Sequence, residues 1–442
     1  MIKKLIIVFI TIIAIQGNAQ ESLASPYSFY GIGSLKFKGT VENRSMGGLS
    51  IYTDSIHINL RNPAGYTGKN LEAFNNQNRP VKFTVGGSHS NINLESSTSS
   101  DESSATSFDY FALSVPMGKF GFGFGLLPYT SVGYKLESFN DSGETLNRFN
   151  GKGGVNKVFF GLGYQITDQL SIGVDANYNF GNIQNSTVEF LYDSDGVLTS
   201  YQSRENNRSD LSGLNFNIGL FYKTMISKRL ELSSGVTFSP ESSLASNNER
   251  TFSTITISGT TGQEFVINTL DANLVASGLA KTDLILPSKL SFGAGIGEPR
   301  KWFAGAEYTM LKTSNFSNAL YESTTTAYED ASTFSFGGFY IPQYNSFSSY
   351  FKRLVYRAGM RFETTGLVFT SADPNANSES IKEFGISFGI GLPVGNGLSN
   401  ANLGFEIGQR GTTNNNLIQE NFINFQLSLS LNDRWFVKRK YD

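Results

Sequence analysis

Bulky apolar residues alternate with small or polar ones down most of this chain. The clearest run is Phe384-Gly385-Ile386-Ser387-Phe388-Gly389-Ile390-Gly391-Leu392. Successive side chains of a β-strand point to opposite faces, so this segment has one oily face and one nearly bare one. Another such run places Ile423, Phe425, Leu427, Leu429 and Leu431 on one face, with Asn424, Gln426, Ser428 and Ser430 on the other. Repeated with turns between, such strands suit a closed barrel whose greasy face meets lipid.

The alternation predicts fourteen strands, near 81–91, 107–115, 120–136, 155–166, 169–182, 211–225, 230–239, 287–297, 301–312, 350–362, 365–371, 381–393, 401–411 and 417–431. Tight connections such as Pro116-Met117-Gly118-Lys119 and Glu298-Pro299-Arg300 alternate with long ones near 183–210, 240–286 and 313–349. Short turns on one rim and long loops on the other are the arrangement of outer-membrane barrels. An even count returns the chain to its starting side, which predicts both termini in the periplasm.

Alternation alone also fits a soluble sandwich, so charge placement matters. Asp175, Glu307, Arg357, Arg361, Glu406 and Arg410 all fall on the face opposite the bulky apolar residues of their strands. An Arg at the lipid midplane costs about 2–4 kcal/mol. These six are therefore read as lumenal, either meeting a ligand carboxylate or holding a plug through ion pairs.

The ends and the composition narrow the class. Lys3 and Lys4 precede an apolar run from Leu5 to Ile15, with Gly17-Asn18-Ala19 as small residues at a cleavage position. That run is too short for a membrane helix, and residues 1–19 read as a secretory signal peptide. The chain has no cysteine, so an exported fold must be held without disulfides. Barrel closure does this by leaving no unpaired edge. The formal net charge of −2 gives no basic excess for nucleic acid. The expected organisation is a plug over 20–79, a barrel over 80–431 and a periplasmic tail over 432–442. Trp435 and Phe436 in that tail read as an interfacial aromatic pair or as part of a docking tag.

Ser45-Met46-Gly47-Gly48, then Asp54-Ser55 and Asn62-Pro63-Ala64-Gly65, precede the strands. With the strand count, these resemble the FadL/TodX (OMPP1) family of outer-membrane transporters for hydrophobic compounds. The ending Leu431-Asn432-Asp433-Arg434-Trp435-Phe436 looks like that of its Bacteroidota members. The resemblance implies an all-β fold: a 14-stranded antiparallel transmembrane β-barrel with an N-terminal plug (hatch) in its lumen, carrying Met46, Gly47, Gly48, Asn62, Pro63 and Ala64. It also implies loading with hydrophobic, fatty acid-like molecules from the extracellular loops and their lateral exit beside a kinked third strand. Here Gly121, Gly123 and Gly125 bare one face of that strand and Pro128 cannot donate to the ladder. These residues favour a local gap; the alternative is a strand that simply ends at Pro128, with glycines making room for the plug.

Candidate chemistry is sparse. His57 and His89 are the two histidines. Neither has metal-ligand spacing, and His89 and Ser90 point to opposite faces, so they form no relay. Asp193-Ser194-Asp195-Gly196 is a fragment of a calcium loop that reads better as a tight turn. Gly151-Lys152-Gly153-Gly154 lacks the spacing of a phosphate loop. No enzyme, cofactor or metal is expected. The expected partners are outer-membrane lipid and a hydrophobic ligand. The alternative is a non-catalytic barrel subunit of a larger outer-membrane complex for secretion or protein insertion.

Overall fold

The computed structural model describes residues 25–433 apart from Ser55, 68–80, Asp141, 321–324, 371–377 and 395–398. The expected signal peptide and the Trp435-Phe436 pair lie outside the described residues. Fourteen antiparallel strands close into a barrel. In order they are β1 (Lys82–Glu95), β2 (Ser100–Met117), β3 (Phe120–Pro128 and Thr130–Phe139), β4 (Thr145–Gln165) and β5 (Leu170–Glu189). Next come β6 (Gln202–Met225), β7 (Glu231–Ser239 and Ser242–Ile257), β8 (Lys281–Leu286 and Lys289–Glu298), β9 (Trp302–Leu311) and β10 (Ala331–Tyr340). The last four are β11 (Val355–Phe369), β12 (Glu379–Val394), β13 (Ser399–Gly411) and β14 (Gln419–Ser430). The wall closes where β14 pairs with β1, from Thr84↔Ser430 to Glu95↔Gln419.

The count matches the sequence expectation, but two strands were placed wrongly. The stretch 313–349, expected to be a loop, contains β10. Its outward face reads Phe334, Phe336, Gly338, Tyr340, while Phe339 faces inward, so glycine and phenylalanine each sit on the wrong side of the pattern. Conversely, 350–362 and 365–371 are one strand, β11. A register shift between Thr364 and Val368, with Gly366 at φ +82°, makes it look like two.

Face assignment follows the alternation. Phe384, Ile386, Phe388 and Ile390 are exposed on the outer surface, and Ser387 is buried inside. Asp175, Glu307, Arg357 and Glu406 are all buried on the lumenal side. Several strands run far past the roughly 9–11 residues a bilayer needs, β6 having 24 residues. Their excess forms a sheet that stands above the long-loop rim. Asp193 behaves as the turn reading required: its carboxylate accepts from the amides of Asp195 and Val197 at 3.0 and 2.8 Å.

Candidate functional site: a plugged lumen and an open seam

The described residues of 25–67 pack against the lumenal face of the wall. A short helix, Val41–Arg44, is closed by a capping box between Thr40 and Asn43. The chain then turns through Met46-Gly47-Gly48, with Gly47 at φ +70°. A Cβ on Gly47 would sit 2.6 Å from the Met360 carbonyl oxygen, so only glycine fits both the dihedral and the approach to the wall. Further on, the Asn62 side chain accepts from the Ala64 amide and opens a 3-10 turn over Pro63–Tyr66. The Asn62 amide also donates to the Leu220 carbonyl of β6 at 2.9 Å. Wall glycines seat both stretches: a Cβ on Gly173 would lie 2.4 Å from the Pro63 carbonyl carbon, and one on Gly359 2.2 Å from the Gly47 nitrogen.

The lumenal charges meet the plug and one another. Glu307 accepts from the Ser50 amide at 2.7 Å and pairs with Arg61 at 2.8 Å. Glu406 pairs with Arg44 at 2.7 Å, and Lys38 stands 3.8 Å from Asp175. The wall arginines find wall acids that sequence reading had not singled out. Arg361 bonds Glu383, and Arg410 reaches Glu383 at 2.5 Å and Glu420 at 3.5 Å. Arg357 donates to Asn402 at 3.1 Å. Glu383 shares the bare face of Gly385 and Ser387, and Glu420 that of Asn424 and Gln426, so parity alone could have found both.

His57 is held between two carboxylates, with Nδ1 2.7 Å from Asp54 and Nε2 3.3 Å from Glu42. Lys82 donates to the Asp54 and His57 carbonyls at 2.7 and 2.8 Å, tying this loop to the first wall strand. Burial alone would raise the Asp54 carboxyl, but His57 and then Lys82 outweigh it and hold it well below the usual carboxylate range. A depressed folded value stabilises above the unfolded value of about 3.9 and is lost as pH falls toward the folded one. Asp54→Asn is therefore expected to speed amide exchange of residues 53–58 at neutral pH, with wild type and variant converging below about pH 4. Equal exchange at neutral pH would count against the clamp. His89 is exposed and shares a hydrogen bond with Thr106 at 2.8 Å.

The wall is not sealed everywhere. The β2–β3 ladder runs from Met117↔Phe120 to Phe111↔Leu126 and stops there. Beyond it, Ser100–Tyr110 of β2 pair only with β1, and Thr130–Phe139 pair with β4 and the plug; among the described residues no ladder crosses between them. Pro128 ends the lower piece of β3. Opposite the break, Gly153 and Gly154 of β4 take φ +112° and +142°, which lets the neighbouring strand bend. Gly121 and Gly123 do not lie at the break. They face Tyr66 of the plug, a Cβ on Gly123 falling 2.6 Å from its ring, while Gly125 faces Phe159 and the Phe111 carbonyl. Plug residues Ser34–Leu35 pair with Thr130 and Ser131, and the Lys36 amide donates to Tyr129 at 2.9 Å. The N-terminal segment thus lines one bank of the seam.

Cavities sit between plug and wall on the same side. One of about 130 Å³ is lined by Tyr27, Tyr30, Ile32, Phe316, Leu367 and Ile381. Leu35, Tyr129, Leu286 and Leu311 also border a second, of about 190 Å³, into which Lys36, Lys38, Lys157 and Lys289 project. Burial pushes the Lys36 and Lys38 ammonium groups below their ordinary value. Lys157 lies over the Tyr129 ring at 4.2 Å. Among the described residues, no carboxylate lies within ion-pair distance of Lys36, Lys157 or Lys289. Sequence parity missed Lys157 because Phe159 beside it makes both faces of β4 apolar. A third cavity reaches Pro128 at the break and is lined by Lys36, Val41 and Tyr110.

These features define a transmembrane β-barrel of fourteen strands with its N-terminal segment packed against the lumenal wall. The chain belongs to the BamG family, whose model matches residues 1–442. No curated protein matches it. Its fold is similar to that of the toluene transporter TodX of Pseudomonas putida, at 15% identity and TM-score 0.57, covering 91% of this chain and 100% of that one. It is also similar to the toluene transporter TbuX of Ralstonia pickettii, at 14% identity and TM-score 0.55, covering 89% and 98%. A Pseudomonas aeruginosa FadL homologue matches at 13% identity and TM-score 0.53, covering 90% and 98%.

Proposed function

We propose that this barrel carries hydrophobic molecules of long-chain fatty-acid type passively across a bacterial outer membrane. They load between the loops of the long-loop rim and leave sideways through the seam beside the broken third strand. The observation that carries this reading is the juxtaposition of three features: an apolar cavity, a lysine-lined cavity sharing its walls, and an unpaired seam at the same level. An acidic head would add a counter-ion for Lys36, Lys157 and Lys289, which among the described residues have no carboxylate within ion-pair distance, and the tail would take the aromatic cavity. The Arg61–Glu307 and Arg44–Glu406 pairs anchor a plug that blocks the direct route through the lumen. In this scheme residues 1–19 are removed on export, 20–79 form the plug, and both mature ends lie in the periplasm. Nothing is catalysed and no energy is coupled.

Uptake of a labelled fatty acid by a deletion strain and its parent tests the proposal, and indistinguishable uptake removes it. Lys157→Met is expected to slow uptake of the acid and spare that of an uncharged hydrocarbon of similar length. Equal effects on both would remove the head-group role.

The BamG family match favours a second reading, a non-catalytic barrel subunit of a larger outer-membrane complex for protein secretion or insertion. Purification under mild solubilisation separates the two. A stoichiometric assembly supports the subunit reading, and a lone barrel with intact uptake supports transport.

A further inference from the structure

The upper part of β7 continues into a hairpin whose return strand, Glu264–Asp271, is exposed at all but its first residue. It pairs with Thr251–Ile257 on one side, and among the described residues no strand lies on the other. Its side chains are apolar where solvent should favour polar ones: Phe265 is 49% exposed, Ile267 59% and Leu270 67%. Leu270 sits opposite Phe252, itself exposed, so the apolar surface spans both strands of the hairpin. Exported proteins normally blunt such an edge with charge, proline or a covering element, because its free amides and carbonyls invite another strand. Between Phe265 and Leu270 there is no charge or proline and, among the described residues, no covering strand; a bulge at Ile267 bends the ladder but leaves Phe265, Ile267 and Leu270 exposed.

Lipid does not cover this edge. On β6, Leu214 is the uppermost large apolar residue on the outer face; Ser212, Asp210 and Arg208 follow it on that face. Phe252 of the hairpin lies opposite Glu205 of β6. From Leu214 to Glu205 is nine residues (214 − 205), about 30 Å of strand, so the edge stands well clear of the bilayer. A second copy is a poor match as well. In-register antiparallel self-pairing would set Glu264 against Asp271. Glu264 is already engaged by Arg204 at 3.0 Å, whereas Asp271 has no cation within ion-pair distance among the described residues.

We propose that Glu264–Asp271 is a docking edge for an extended segment of a different exported protein, which adds a strand to the hairpin. The segment pairs through backbone hydrogen bonds, lays β-branched or other apolar side chains against Phe265, Ile267 and Leu270, and brings a basic residue to Asp271. The proposal does not depend on what the lumen carries.

The test uses the full barrel in lipid nanodiscs. The probe is a synthetic eight-residue peptide alternating valine and threonine, with lysine at each end. Amide exchange over 264–271 is expected to slow when the peptide is added. The protection is expected to disappear in the Ile267→Lys, Leu270→Lys double variant, and to weaken in Asp271→Asn. Heat-modifiable migration of the variants monitors barrel closure independently of the edge. Unchanged exchange with the peptide would overturn the proposal. So would protection already present without peptide and accompanied by doubling of the particle mass, which would assign the edge to a second copy.

Discussion

A Gly359→Val barrel is expected to conduct ions in a planar bilayer, where the wild-type barrel stays closed. The expectation rests on contact between backbones. A Cβ at position 359 would fall 2.2 Å from both the Gly47 nitrogen and the Met46 carbonyl carbon. Backbone atoms cannot step aside as a flexible side chain would. Gly47 is hemmed in from the neighbouring strand as well, by the Phe336 carbonyl 2.8 Å from its own hypothetical Cβ. The plug turn must therefore lift, which breaks the hydrogen bond that the Gly47 N–H donates to the Ser387 hydroxyl at 3.1 Å and loosens Arg44 from Glu406. Limited proteolysis should then cut within 45–67 while the barrel stays heat-modifiable. Gly385→Ala is the control, because its Cβ would meet no plug backbone: its nearest neighbours are the side chains of Glu406, at 3.0 Å, and Arg361, at 3.8 Å. A silent Gly359→Val channel with a protected plug would mean that the plug yields without leaving its seat.

The second large effect concerns charge. Among the described residues, Glu383 is the carboxylate that pairs with both Arg361 and Arg410, and its side chain is 4% exposed. Removing one partner of a buried ion pair costs about 3–5 kcal/mol, because the charges left behind lose their compensation. Glu383→Gln is expected to destabilise the barrel by about that amount in urea unfolding from lipid vesicles. Adding Arg410→Gln should recover part of the loss, since neighbours in one network are not additive. A loss within about 0.5 kcal/mol, the size expected of an ordinary surface change, would mean that lumenal water already screens the arginines.

Much of this architecture was legible because a lipid-facing wall obeys a strict rule. Period two fixed which residues face outward, and the inward placement of Asp175, Glu307, Arg357, Arg361, Glu406 and Arg410 followed from it. The rule failed where the wall itself departs from it. In β10, Gly338 and Phe339 exchange the expected sizes, and in β11 a bulge at Gly366 splits the pattern. The meaning of the wall glycines was also out of reach. Gly121 and Gly123 read either as a bare strip favouring a gap or as room for the plug, and they clear space for Tyr66. That distinction depends on a contact between segments far apart in sequence, and no local pattern encodes it. Pro128 was legible as a break, but its counterpart Gly153-Gly154 read only as a failed phosphate loop. Similarly, Asn62-Pro63-Ala64 announced a turn, yet nothing local said that the turn would seat against Gly173 and Gly219.

The seam between β2 and β3 is the feature on which the proposed transport depends, and the absence of cysteine from the chain makes it directly testable. Cysteines placed at Ser104 and Lys135 can be bridged by a short, reducible bifunctional thiol reagent, and fatty acid uptake measured before bridging, after it, and after reduction. The account predicts uptake that is lost on bridging and restored by reductant. Undiminished uptake through a fully bridged barrel would contradict it.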